Sequence, residues 1–325
     1  MTVHAENIAK RRADWERLET LLGNIATGAR NLRGPAVMEL SDLYRRACAD
    51  LALAEQYHLS PSMVDYLHTL VGRMQAALHK SPRARIADWW DVVFRDAPRQ
   101  IFRDPCVQVA SVLFFGLFAL SALLAYNEEM FPKYAERMIS AEQIVGLENM
   151  YDEPLGRNTE ESIIMVGFYI NHNTGIGLEC FGTGLLIVPG LIATAFNASF
   201  LGACFGYMSR LGVEGGDHFL EFVDAHGALE LSAIALSAGG GLRIGLGWLF
   251  TNGLTRLASL QAAGRRALPI MSASGVLFCM AAFTEGIISP LPIPYAFKVL
   301  WLLASTCGLM FYFVVLGYPE DDDAA

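Results

Sequence analysis

His226, Glu230 and Glu285 are the residues of this 325-residue chain whose types and setting could do chemistry. His226 and Glu230 are four apart in DAHGALELSAIALSAGGGLRIGLG (224–247), a stretch otherwise almost wholly small and apolar, so they share one helical face. Glu285 interrupts a second apolar stretch, AAFTEGIISP (281–290). A histidine with two carboxylates can pass a proton, hold a cation, or lock helices together by hydrogen bonds. A zinc site needs at least three ligands in suitable geometry. H-x-x-x-E offers two and H-E-x-x-H is absent, so no metal and no other cofactor is expected. GGGLRIG has no P-loop lysine after it, and no nucleophile–base pair stands out. The chain does not read as an enzyme.

Other polar groups lie in apolar surroundings. Asn171, His172, Asn173 and Glu179 interrupt one apolar run, Asn197 the next, and Arg243 follows Glu230 by 13 residues. A charge in mid-bilayer costs about 2.5–3.5 kcal/mol on insertion scales, so each should face the protein interior and find a partner. Arg243 is about 20 Å along the helix from Glu230 and turned roughly 140° away, too far to serve it. Glu179 falls at matching depth, and a Glu179–Arg243 ion pair is expected at the inner side. His226, Glu230 and Glu285 then form an outer site. Asn171, Asn173 and Asn197 sit nearest mid-depth, where they can bond across a helical hairpin. Gly202-x-x-x-Gly206 and Gly241-x-x-x-Gly245 have the small-residue spacing that lets helices pack closely.

The elements that must position these groups are helices in a membrane. The chain is 53% hydrophobic and 18% charged, with mean hydropathy +0.34. Its net charge of −9 conceals a division, because residues 1–103 carry about +3 and the rest about −12. A mildly basic part followed by an acidic, apolar one argues against a nucleic-acid binder. The six cysteines show no C-x-x-C spacing and read as small hydrophobes. The polar start MTVHAENIAKRRADWERLE lacks the pattern of a cleavable signal peptide.

Three helical faces are legible before the apolar part. They are Ile8, Trp15, Leu18, Leu22 and Ile25, then Leu40, Tyr44, Ala47, Leu51 and Ala54, then Met63, Leu67, Leu70, Met74 and Ala77. Next comes KSPRARIADWWDVVFRDAPRQIFRD, whose Trp89, Trp90 and Phe94 with Arg95, Arg99 and Arg103 suit a helix at the membrane interface. This predicts an all-α protein: a cytoplasmic helical domain over 1–103 with its interfacial helix, and a six-span helical membrane bundle over 104–325. The spans are expected at about 105–126, 162–181, 185–208, 226–250, 268–289 and 295–317. Residues 127–161, with nine acids and three bases, form the loop outside the membrane. The arginines flanking the spans segregate to one side, which places both termini in the cytoplasm.

Several of these motifs resemble the stage II sporulation protein M family. DAHGALELSAIALSAGGGLRIG is similar to its H-G-x-x-E-L-x-A-I…G-x-R-x-G signature, and AAFTEGIISP to its E-G-[FI]-[IV]-S pattern with Glu285 as the acid. FYINHNTGIGLECFGTG, FNASFLG and RRADWERLETLL also match, with His172 departing from the usual asparagine. The resemblance implies a multi-pass protein of the bacterial inner membrane. The family's namesake helps to assemble and localise peptidoglycan-remodelling enzymes during engulfment of the forespore. The expected function is a non-enzymatic scaffold for envelope machinery, with the lipid bilayer and envelope or cytoplasmic proteins as partners. The small-residue faces also allow a homodimer. The alternative is a proton- or cation-coupled transporter or channel built on His226, Glu230 and Glu285.

Overall fold

Apolar periodicity in the first part becomes a helical bundle. The computed structural model describes residues 11–26, 34–78 and 86–319, and two compact units divide at residues 84 and 85. Readings made on Ile8, the side chains of Ile25 and Ala77, residues 80–85 and the tail EDDDAA lie outside the described residues. In the first unit, α1 (Arg12–Ala26), α2 (Gly34–Gln56) and α3 (Pro61–Leu78) bury Trp15, Leu18, Leu22, Ala47, Leu67 and Met74 in one core. Asp50 is fully buried among them, accepting from Trp15 Nε1 at 3.0 Å and pairing with Arg11. A buried carboxylate is tolerated because it is paired and hydrogen-bonded.

The second unit begins with α4 (Ile86–Asp91), a π-helical turn (Val92–Asp96) and α5 (Ala97–Arg103). This segment was expected to belong with the N-terminal domain. Instead Val93, Ala97 and Ile101 are buried, and α5 packs against the helix starting at Arg256, so the boundary falls before residue 86 rather than after 103. Trp89, Trp90 and Phe94 remain exposed.

The remaining elements are α6 (Pro105–Tyr126), α7 (Tyr134–Met138), α8 (Ala141–Tyr151), α9 (Thr159–Gly184), α10 (Val188–Met208) and α11 (Gly216–Val223). Next are α12 (Gly227–Leu249), α13 (Arg256–Phe283) with a π-turn (Thr284–Ile288), and α14 (Tyr295–Met310) with a π-turn (Phe311–Val315). No strand occurs among the described residues. Helix starts follow sequence signals. Asp104 caps α6 with Pro105 in its first turn, Asn158 caps α9, and Ser140 with Gln143 forms a capping box on α8.

Among the described residues, five helical stretches are long and apolar enough to cross a membrane: Pro105–Tyr126, Val188–Met208, Gly227–Leu249, Arg256–Ile288 and Tyr295–Val315. The expected span at 162–181 lies in α9, which has 26 residues but falls short in apolarity, since Asn171, His172, Asn173 and Glu179 interrupt it. The span expected at 268–289 begins earlier, because α13 runs unbroken from Arg256.

Helix α12 is the centre of this unit and packs against α6, α9, α10, α13 and α14. Every residue from Ala233 to Leu242 is buried, as a helix apolar on all sides requires. Its glycines make that possible. A Cβ on Gly241 would lie 2.3 Å from the Phe181 carbonyl oxygen, and one on Gly245 2.6 Å from that of Gly184. Gly202 and Gly206 do the same between α10 and α6, at 2.3 Å from Phe118 O and 2.1 Å from Ala122 O. The turn between α9 and α10 is tight. Ile187 has φ 60° and ψ −73°, and Val188 N donates to Leu186 O at 2.7 Å, the rare γ-turn with positive φ.

Candidate functional site

His226 is the N-cap of α12, so its ring sits where the chain enters the central helix. It is 5% exposed, and Phe222 of α11 meets its face edge-on at 5.4 Å. Nδ1 shares a 3.0 Å hydrogen bond with Ser289 Oγ. Nε2 points the other way, 3.8 Å from Glu230 Oε2 and 4.0 Å from Glu285 Oε1. One ligand atom from each of the three residues falls within 4.8 Å of the others.

Each of the three is placed by a different device. Glu230 follows His226 by one helical turn. Glu285 is carried by the π-turn after α13, an irregularity frequent at functional sites. Gly286 lets α9 close over that turn, because a Cβ there would meet Val166 Cγ2 at 2.4 Å. That approach brings in Asn173, which is buried and donates from Nδ2 to Glu285 Oε2 at 3.0 Å. Glu285 thus has one oxygen held by Asn173 and the other turned toward His226.

Residues that sequence reasoning did not single out complete the surroundings. Ser289 orients His226, and its carbonyl accepts from Lys298 Nζ at 2.8 Å. Lys298 is fully buried and stands 3.9 Å from Glu221. Tyr151, at the end of α8, packs on Phe219 and Phe222, and its carbonyl accepts from His218 Nδ1 at 2.8 Å. Burial first, then the neighbouring Tyr169 and Glu285, pushes its phenol well above the usual range. Arg157 also acts on Tyr169 and Glu285, and its Nη1 is buried without a hydrogen-bond partner among the described residues. Only Ser289 was signalled in sequence, inside the quoted E-G-I-I-S motif.

At the other end of α12 the expected ion pair is corrected. Arg243 pairs with Asp104 instead of Glu179, through Nε to Oδ2 at 2.7 Å and Nη2 to Oδ1. Asp104 is 1% exposed and also accepts from Gln100 Nε2 at 3.0 Å and Cys106 N at 2.9 Å. It wins because it caps α6, which packs directly against α12, whereas Glu179 points outward and is exposed. A capping residue was read as the end of the interfacial segment, so its inward side chain was overlooked.

The asparagines divide as well. Asn173 serves Glu285, and Asn197 donates to Ala193 O at 2.9 Å and to Cys180 Sγ at 3.8 Å, the one contact across the α9–α10 hairpin among the three. Asn171 is exposed, and neighbouring His172 stacks on Phe168 at 5.6 Å. Between the two polar ends lie buried Ile234, Ala238, Phe278 and Cys180, with a Ser237–Ser274 hydroxyl pair at 2.8 Å that also bonds Ala233 O.

These features define a class, a multi-pass helical membrane protein with polar groups buried at both ends of a central helix. The family model for stage II sporulation protein M matches residues 110–290, and the chain belongs to that family. A domain of unknown function, DUF8413, matches residues 5–80 and so covers the first bundle. No curated protein and no solved structure matches. The matched span of the family model includes Asn173, His226, Glu230, Arg243 and Glu285, and it begins after Asp104.

Proposed function

We propose that this protein is a non-catalytic scaffold in the bacterial inner membrane, with both termini in the cytoplasm, that holds envelope-remodelling machinery in place. In this reading α9 is a sixth span, and its polar groups are tolerated because Asn173 turns inward to Glu285. The observation that carries the reading is the packed, apolar layer between the two polar ends. Ile234, Ala238 and Phe278 fill it, and the Ser237–Ser274 pair within it is self-satisfied. A transporter or channel needs a polar path there. A cavity of about 380 Å³ nearby is apolar, walled by Val93, Leu229, Leu277, Trp301, Leu309 and Tyr312.

The segment outside the membrane supports a docking role. Helices α7 and α8 fold against α10 and α11, and a cleft of about 640 Å³ opens among Glu128, Lys133, Glu136, Tyr207 and Arg210. Envelope proteins would bind this acidic face and cytoplasmic proteins the first bundle. Asn171 and Gly175 on the exposed side of α9 leave room for a second copy. Nucleic acid has no place in the reading.

Purified protein in sealed liposomes tests it. No proton or cation flux is expected under any gradient. Flux that disappears in both Glu230→Gln and Glu285→Gln would instead establish a transporter or channel. In native-membrane extracts the protein should run in a complex larger than itself, and charge reversal at exposed Glu136 and Glu142 should shrink that complex.

A further inference from the structure

We propose that His226, Glu230 and Glu285 bind a divalent transition-metal ion of the zinc class. The inference goes beyond the scaffold reading and does not rest on it.

Geometry carries the argument. A hydrogen-bonded lock would close its contacts to about 2.7–3.0 Å. Here Nε2 is 3.8 Å from one carboxylate oxygen and 4.0 Å from the other, too far to bond either. An ion at about 2.0–2.2 Å from each of three tetrahedral ligands sets them roughly 3.3–3.6 Å apart. The two edges at Nε2 need close by only about half an ångström, and the edge between the two carboxylates, which lies within 4.8 Å, by up to about 1.5 Å, which rotation of the glutamate side chains supplies.

The atoms behind the ligands make a second, independent argument. Ligating histidines characteristically engage their other ring nitrogen in a hydrogen bond, and ligating carboxylates are themselves hydrogen-bonded. His226 Nδ1 bonds Ser289 Oγ, which turns Nε2 toward the carboxylates. Asn173 holds Glu285 Oε2, which leaves Oε1 facing Nε2. Both supports aim the free atom at the same point. Two carboxylates with an imidazole offer nitrogen and oxygen donors that suit zinc, and a fourth position is left for water. A divalent cation also adds to Arg157, which acts on Glu285, in balancing two carboxylates held close together away from solvent.

The test uses the full chain in detergent, stripped with chelator and then titrated with Zn²⁺ against a chromophoric competitor. About one zinc per chain should bind, with a rise in melting temperature. Glu230→Gln and Glu285→Gln, which keep side-chain shape, should each weaken binding by more than tenfold. Asn173→Ala should weaken it about 10–100-fold through Glu285. Glu179→Gln should leave it unchanged. No zinc uptake by the wild-type chain would overturn the proposal, and so would equal uptake in both glutamine variants. Co²⁺ added to the wild-type protein gives a readout free of any folding defect in the variants. Ligand-field bands from nitrogen and oxygen donors support the site. A sulfur charge-transfer band would place the metal on the cysteines and overturn it.

Discussion

The two polar ends of α12 lie seventeen residues apart, about 25 Å along one helix, and are built on opposite principles. At Arg243 charge is balanced within the protein. A planar guanidinium meets Asp104 as a fork, and Gln100 and Cys106 N occupy the remaining carboxylate lone pairs. At His226 two carboxylates face one imidazole nitrogen across gaps that no hydrogen bond fills. The first end is finished by the chain itself. The second is arranged as a set of donors whose supporting bonds are complete and whose central contacts are not. A closed pair fixes helices, and an open set waits for a ligand.

The sharpest way to break this contrast is to remove one partner of the closed pair. Asp104→Ala leaves the Arg243 guanidinium without its counter-charge and takes the cap from α6. It should cost about 3–5 kcal/mol, read as a lowered melting temperature in detergent. Adding Arg243→Met to it should recover part of the loss, since no charge is then left uncompensated. A loss below about 1 kcal/mol would mean that Asp104 is no better paired than a surface group.

The open set should respond to metal where the closed pair does not. Zinc at a hundred times its dissociation constant should stabilise the wild-type protein by about 2.7 kcal/mol, and chelator should reverse the gain. At the same zinc concentration the gain should fall to about 1.4 kcal/mol or less in Glu285→Gln and survive in Arg243→Lys. If both variants respond alike, the two ends of α12 do not differ in metal binding.

Helix packing away from α12 offers a smaller effect. Gly206→Val places a side chain against the Ala122 carbonyl and should cost about 1–3 kcal/mol. Gly175→Ala, with nothing within 4 Å of the new methyl, should gain up to about 1 kcal/mol through helix propensity. Melting curves of the two variants should move in opposite directions. A loss at Gly175 would point to a second chain packed on that face.

The helices were legible because burial needs a periodicity that survives in the sequence, as Trp15, Leu18 and Leu22 illustrate in the first bundle. The open site was legible in part, because His226, Glu230 and Glu285 are costly in apolar surroundings and so stand out. Their convergence depends on the π-turn at Thr284–Ile288 and the close approach at Gly286, which a residue pattern does not display. A third ligand contributed by another helix cannot be counted from H-x-x-x-E alone. Asn173 was chosen for a hairpin contact, yet its partner stands 112 residues away. Asp104 was missed for a related reason. It lies just before the first apolar run, where a carboxylate looks solvated, and only packing of α6 on α12 turns it inward.

Glu179 provides the finest test of the comparison, because matching depth alone would give it the role that Asp104 has. Its side chain is exposed, and its backbone carbonyl, not its carboxylate, receives the 2.6 Å bond from Thr183 Oγ1. It also lies within the last turns of α9, where a charged group can reach an aqueous boundary without help from Arg243. Glu179→Gln should therefore shift stability by no more than about 0.5 kcal/mol. Combined with Asp104→Asn, it should add nothing beyond its own small effect, since the two sites share no partner. A melting shift as large as that of Asp104→Ala, or strong coupling in the double variant, would return Arg243 to Glu179. The Arg243 end would then be a switchable pair with two carboxylates competing for one cation.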